Sequence, residues 1–71
     1  MRRARLALFL RQQAKGKNKA AIERVLNDSQ LFEHLNDAVT RERPGIDFMK
    51  WLFENRQAIL DLVNTIIKMF G

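Results

Sequence analysis

The residues of this chain that are best suited to chemistry are its basic side chains, which gather at one end. Residues 1–24 hold eight lysines and arginines against one acid, a net charge of +7, whereas the rest of the 71-residue chain sums to −2. Arginine can pair with a phosphate through two parallel hydrogen bonds, and lysine offers a compact positive charge. This segment is therefore predicted to contact an anionic partner such as DNA or RNA. The candidate contacts are Arg2, Arg3, Arg5, Arg11, Lys15, Lys17 and Lys19.

The pattern around these charges predicts contact with phosphates and no reading of bases. Phe9 is the one aromatic residue among them, so the stacking platform that single-stranded nucleic acids use is missing. Gly16 lies among polar residues, where a helix-turn-helix motif needs buried turn residues. A solvated basic face without a partner is the alternative interpretation.

Catalytic chemistry is not predicted. His34 is the only histidine, and no nucleophile pattern accompanies it or its neighbouring acids Glu33 and Asp37. It is interpreted as a histidine on the surface of a helix. The chain has no cysteine, which excludes disulfides and thiolate metal sites. One histidine and scattered carboxylates do not provide the ligands that a zinc site needs. We therefore expect no enzyme activity, no metal, no cofactor and no small-molecule substrate.

Composition limits the class of protein. A chain of 71 residues is one domain, expected to span residues 1–71, and 46% hydrophobic residues are too many for a disordered chain. No apolar run approaches the roughly 20 residues of a transmembrane helix. The apolar run after Arg5 stops at Arg11, too early for a secretory leader, so secretion is not expected. The predicted location is the cytoplasm or the inside of a virus particle.

The hydrophobic pattern predicts an all-α bundle of about four helices. No segment alternates between apolar and polar residues over the length of a strand. The predicted helices span residues 3–15, 18–27, 29–41 and 47–70. They divide the domain into a basic N-terminal segment 1–24, a helical linker region 25–46 and a long apolar helix 47–71.

The boundary between the second and third helices is marked by a change in the phase of the apolar residues. Ile22, Val25 and Leu26 form the stripe of the second helix, and its continuation would bury the polar residues Glu33 and Asn36. A new helix from about Ser29, after a segment 27–29 (NDS) that is rich in residue types favouring the N-cap, restores an apolar stripe. A single kinked helix is the alternative.

The last helix is predicted to start at an Asp47 N-cap, with Ile46 and Trp51 at the spacing of a hydrophobic staple. One narrow polar stripe continues to about Phe70, which favours an unbroken helix; a break at Asn55–Arg56 is the alternative. An unbroken helix would be about 36 Å long. A globule of this size has a diameter of roughly 29 Å, so the helix would overhang its own domain.

The apolar arc of this last helix exceeds what three shorter helices can cover, which predicts packing against a second copy or another helical protein. The expected interface residues are Trp51, Ile59, Leu62, Val63, Ile66, Ile67 and Phe70. The sequence thus predicts a non-enzymatic assembly or architectural protein, such as a virion or nucleoprotein component, with a basic end that contacts an anionic partner. A plain protein–protein interaction module, in which the basic end is incidental, is one alternative.

A membrane-active helical peptide is the other alternative. The apolar run between Arg5 and Arg11 has the pattern of a segment that lies at a lipid headgroup interface. Residues 50–53 (KWLF) and 58–61 (AILD) resemble parts of the leaderless bacteriocins, which are compact basic helical bundles. The likeness covers under a third of the chain and carries no specific motif. Those peptides are rich in Lys and Trp with few acids, whereas this chain has eight acids and one Trp, so membership is not predicted.

Overall fold

The computed structural model describes residues 2–41 and 47–71, and the regular structure in these two segments is entirely helical. The α-helices of these segments are α1 (Arg2–Gln13), α2 (Lys19–Leu26), α3 (Ser29–Arg41), α4 (Phe48–Glu54) and α5 (Arg56–Phe70). A short 3₁₀ helix, Gly16–Asn18, joins α1 to α2. The prediction of a small all-α bundle is confirmed.

The core forms where every helix turns its apolar stripe toward the same centre. α1 packs against α2 and α4, and α5 packs against α2 and α3. The stripe predicted for the second helix is confirmed, since Ile22 and Val25 have no exposed surface and Leu26 packs partly buried against the core. Asn36, which the phase of the apolar residues places outside the core, is buried, with 8% of its surface exposed. α3, which lies in the expected linker region, contributes as much to this core as its neighbours do. The buried apolar residues of α1, α2 and α3 are Leu6, Phe9, Leu10, Ile22, Val25, Leu31, Leu35 and Val39.

The connection between α1 and α2 turns at Gly16. Its φ of +55° lies in the left-handed region that favours glycine, and Lys15 before it is extended with φ −136° and ψ 152°. α1 consequently ends at Gln13, two residues before the predicted end, and the chain re-enters helical geometry through the 3₁₀ turn.

The predicted boundary between α2 and α3 is also confirmed. α2 ends at Leu26 and α3 begins at Ser29. The Asp28 carboxylate accepts hydrogen bonds from the backbone N–H groups of Gln30, at 3.0 Å, and Leu31, at 3.2 Å. Two donors that the first turn of a helix leaves without a partner are satisfied by this one side chain.

Replacement of Asp28 by alanine is expected to lower the free energy of unfolding by about 1 kcal/mol, the usual loss for an N-cap. Asparagine at the same position keeps a side-chain acceptor and should lose much less. Urea denaturation followed by far-UV circular dichroism measures both variants against the wild type. Equal losses for Ala and Asn would show that the cap does not depend on the acceptor oxygen.

The prediction of one unbroken helix from 47 to 70 is wrong, and the alternative of a break at Asn55 is correct. Asp47 does cap the start, because its carboxylate accepts from the backbone N–H of Lys50 at 2.9 Å. The staple partner Ile46 lies outside the described residues. α4 then ends at Glu54 and α5 starts at Arg56, so that the apolar arc is divided between two helices.

The helix is interrupted at Asn55, whose φ of −112° and ψ of 25° lie outside helical geometry. Both its backbone N–H, at 3.0 Å, and its Nδ2, at 2.9 Å, donate to the carbonyl oxygen of Trp51. Arg56 similarly donates from Nη1 to the carbonyl oxygen of Phe53 at 3.0 Å. The side chains of Asn55 and Arg56 thus donate to two carbonyl oxygens in the last turn of α4.

The break removes the overhang that an unbroken helix would have produced. The molecule measures 31 × 23 × 19 Å along its principal axes. α5 has 15 residues and is therefore about 22 Å long, which fits within the domain. Both halves of the predicted long helix now face one core. Their buried residues are Phe48, Leu52, Ile59, Leu60, Val63 and Ile66.

Candidate anion-binding surface

The basic residues predicted to contact an anion are exposed along α1 and the connection to α2. Arg11 lies in the last turn of α1, Lys15 and Lys17 flank Gly16, and Lys19 opens α2. All four side chains are exposed, and we call these four residues the basic edge. Arg5 is also exposed, nearer the start of α1. The side chain of Arg2 lies outside the described part of the structure.

Arg3 forms an ion pair with Glu33 of the same chain. Its Nε donates to Oε2 of Glu33 at 2.7 Å, and its Nη2 donates to Oε1 at 2.8 Å, which is a bidentate pair between α1 and α3. The guanidinium lowers the pKa of the Glu33 carboxyl, chiefly through these hydrogen bonds, and Glu33 in turn raises the pKa of Arg3. Arg3 thus reaches the surface with its charge largely compensated.

Arg24 is held in a similar way. Its Nη2 donates to the backbone carbonyl oxygen of Gly71 at 3.0 Å, which ties α2 to the end of α5. Two of the basic residues in the first 24 therefore serve contacts between helices. Across residues 2–41 and 47–71 the Arg3–Glu33 pair is the one salt bridge present, so Arg5 and the basic edge have no acidic partner there.

A groove of about 460 Å³ lies beside the Arg3–Glu33 pair, between α1 and the start of α3. Arg3 and Arg11 line its α1 side, and Phe32 and Glu33 line its α3 side. The groove exists because α1 presents alanines at 4 and 7, whose small side chains leave space that longer ones would fill. One free cation, one paired cation and one carboxylate therefore meet at this surface.

Leu8 is an apolar side chain in the middle of the exposed face of α1. It keeps 47% of its surface exposed, although it is a large hydrophobic residue. Arg5 and Arg11 lie three residues before and after it, so each is a neighbour one turn away on the helix. α1 thus presents a leucine between two arginines that have no acidic partner among residues 2–41 and 47–71.

The predicted interface residues divide into three groups. Ile59, Val63 and Ile66 are buried in the core of their own chain, whereas Trp51, Leu62 and Ile67 are only partly buried. Phe70 is 52% exposed, and its neighbour Met69 is 67% exposed. The exposed apolar surface of this half of the chain is therefore narrower than its sequence suggests, and it is greatest at the end of α5.

A second groove, of about 550 Å³, runs along α4 and α5. Trp51 and Leu62 provide apolar walls, and Asp61 provides a carboxylate that accepts a hydrogen bond from Gln57 Nε2 at 3.0 Å. Two of the three partly buried residues of the predicted interface thus line one concave surface.

The imidazole of His34, in α3, packs against the ring of Phe70, the last residue of α5. The two rings are stacked, with centroids 3.7 Å apart and planes inclined by 8°. The adjacent acid Glu33 is engaged by Arg3 and not by the imidazole. His34 is exposed on α3, as the sequence predicts, and its visible contact fastens the end of α5 to α3.

Similarity to other proteins offers no guide to what these surfaces bind. In residues 2–41 and 47–71, no helix combines the length and the apolar character that crossing a membrane requires. Comparisons of the chain with protein-family models, with curated proteins and with solved structures find no match. Function is therefore inferred from the exposed charges and apolar surfaces of this chain.

Proposed function

We propose that this protein is a small non-enzymatic helical module that binds a polyanion, nucleic acid in the first place, through its basic edge. The observation that supports this most strongly is the set of exposed cations without an acidic partner in the described structure: Arg5, Arg11, Lys15, Lys17 and Lys19. Such charges attract a phosphate backbone by Coulomb interaction and by release of its counterions.

The arrangement of the basic edge favours an extended partner over a single small anion. Its cations are spread from the end of α1 to the start of α2, and of the four only Arg11 lines one of the two grooves described above. No aromatic ring is among them, so the bases of the nucleic acid have nothing to stack on. Binding is expected to tolerate many sequences, because phosphate contacts position a protein without reading bases.

Titration of a mixed-sequence DNA duplex at several salt concentrations tests this function. The logarithm of the affinity should fall linearly with the logarithm of the salt concentration, by about 0.9 for each phosphate contact. Shuffled duplexes of equal length should bind equally well. No binding to duplex DNA or to RNA at low salt would contradict the proposal.

An anionic membrane surface is the second candidate partner, and Leu8 is the observation that favours it. A leucine exposed between Arg5 and Arg11 is suited to enter the headgroup layer while the arginines pair with lipid phosphates. Leu8→Gln separates the two candidates, because it removes apolar surface and keeps every charge. Loss of binding to anionic vesicles in Leu8→Gln, together with no binding of DNA or RNA by the wild type at low salt, would identify the membrane as the partner.

We further propose that the chain assembles with a second copy or another helical protein through the end of α5 and the groove beside Trp51. Ile67→Asp and Phe70→Asp test this, because both side chains keep some exposure. Val63→Asp cannot, since Val63 is 1% exposed and a charge there would unfold the chain itself. A folded monomer at every concentration, measured by light scattering, would contradict assembly. The proposed setting is the cytoplasm or the inside of a virus particle, as part of a nucleoprotein or larger complex.

A further inference from the structure

The pairing of Arg3 divides the basic residues of α1 into free and occupied ones. Arg5 and Arg11 have no acidic partner in the described structure, whereas Arg3 donates two hydrogen bonds to one carboxylate. Glu33 holds the Nε and Nη2 side of the guanidinium, which is a side that could otherwise pair bidentately with a phosphate. Asp37, one turn further along α3, adds a second negative charge near Arg3.

We propose that Glu33 competes with the polyanion for Arg3. The ion pair keeps Arg3 from contacting the polyanion, so the affinity is lower than the basic edge, Arg5 and a released Arg3 would give together. The inference rests on the proposed function and concerns the regulation of the same site. The Nε and Nη2 groups of the Arg3 guanidinium cannot donate the same two hydrogen bonds to a carboxylate and to a phosphate at once. A phosphate that approached Arg3 would also meet the negative charge of Glu33 directly beside it.

A phosphate can compete for Arg3 because the ion pair lies at the surface. The side chains of Arg3 and Glu33 keep 64% and 44% of their surface exposed. Water and salt screen such a pair, so it can be broken without the penalty of leaving a buried charge alone. The pair also borders the groove that Arg11 lines, so that a phosphate held by Arg11 lies on the same surface as the paired Arg3.

The test is the salt dependence of duplex DNA binding by Glu33→Gln, alone and combined with Arg3→Gln. Glutamine keeps the size of the side chain and removes its charge, which releases Arg3. Glu33→Gln should steepen the salt slope by about 0.9, one additional phosphate contact, so that its gain in affinity shrinks about 3.5-fold between 50 and 200 mM salt. In the Arg3→Gln background the same change should not steepen the slope.

Glu54→Gln is the matched control, since it removes one exposed acid from α4 and changes the net charge equally. It is expected to leave the number of phosphate contacts, and therefore the slope, unchanged. A slope for Glu33→Gln that equals that of Glu54→Gln would overturn the inference. So would a steeper slope that persists without Arg3, because the released arginine would then not be its cause.

The same titrations separate failure of the inference from failure of the proposed function. Binding by the wild type with no change of slope in Glu33→Gln refutes the competition and leaves polyanion binding standing. Absence of binding by the wild type and by Glu33→Gln refutes both. Thermal unfolding followed by circular dichroism checks that each variant is folded, and Arg3→Lys provides a second route that weakens the bidentate pair while keeping the charge.

Discussion

Alanine at position 9 should lower the free energy of unfolding by about 3–5 kcal/mol, the range for loss of a large aromatic side chain from a core. Phe9 has no exposed surface and stands edge-on to Phe53, with ring centroids 5.2 Å apart and planes at 79°. A chain of this size is stabilised by only about 4–11 kcal/mol in total. The variant should therefore be close to unfolding at room temperature. Urea denaturation followed by circular dichroism gives the value.

Phe53→Ala is the matched control for Phe9→Ala. It removes the same ring from the other side of the same contact, but Phe53 is 37% exposed. Its loss should be smaller, about 1–2 kcal/mol, because less apolar surface returns to water. Equal losses for the two variants would show that the core does not centre on Phe9. The pair also measures the coupling between the two rings, if the double variant is still folded.

The largest effect on binding is expected from the lysines of the connection between α1 and α2. Replacement of Lys15, Lys17 and Lys19 together by glutamine should reduce the salt slope of duplex binding by up to about 2.7, three phosphate contacts. Helix content should change little, because all three side chains are exposed and make no ion pair in the described structure. Fluorescence anisotropy of a labelled duplex at several salt concentrations measures the slope.

The control is a second triple replacement with the same change in net charge. Arg41, Lys50 and Lys68 are exposed and belong to α3, α4 and α5, which contribute no residue to the basic edge. Their replacement by glutamine should weaken binding slightly, through the overall charge, and leave the slope nearly unchanged. If both triple variants lose the same slope, the net charge of the molecule attracts the nucleic acid and the basic edge is not the binding surface.

Much of the fold follows from local features of the sequence. The α2–α3 boundary is visible in the phase of the apolar residues, and the Asp28 and Asp47 side chains make the hydrogen bonds expected of N-caps. The break at Asn55 was harder to predict, since one polar residue in an apolar arc is compatible with an unbroken helix. In the structure the backbone of Asn55 leaves helical geometry, with a φ of −112° and a ψ of 25°, and this interrupts the helix.

The candidate binding surface is only partly visible in the sequence. An excess of basic residues near one end can be counted, and their exposure follows from their positions between apolar stripes. The sequence does not show that Arg3 pairs with Glu33 or that Arg24 bonds to Gly71, because the partners are 30 and 47 residues apart. The signal that could have suggested the first pair is an acid at the N-terminal end of α3 on the face beside α1.

By itself, the sequence determined that this chain forms short helices, where two of them are capped and which end carries the positive charge. These properties depend on apolar period, residue type and charge within a few residues of one another. The tertiary structure decided which apolar residues of α5 the chain covers itself and which arginines remain available to a partner. Ile59, Val63 and Ile66 are buried, and Arg3 is paired, because helices distant in the sequence pack together. Only the packed fold brings those helices into contact.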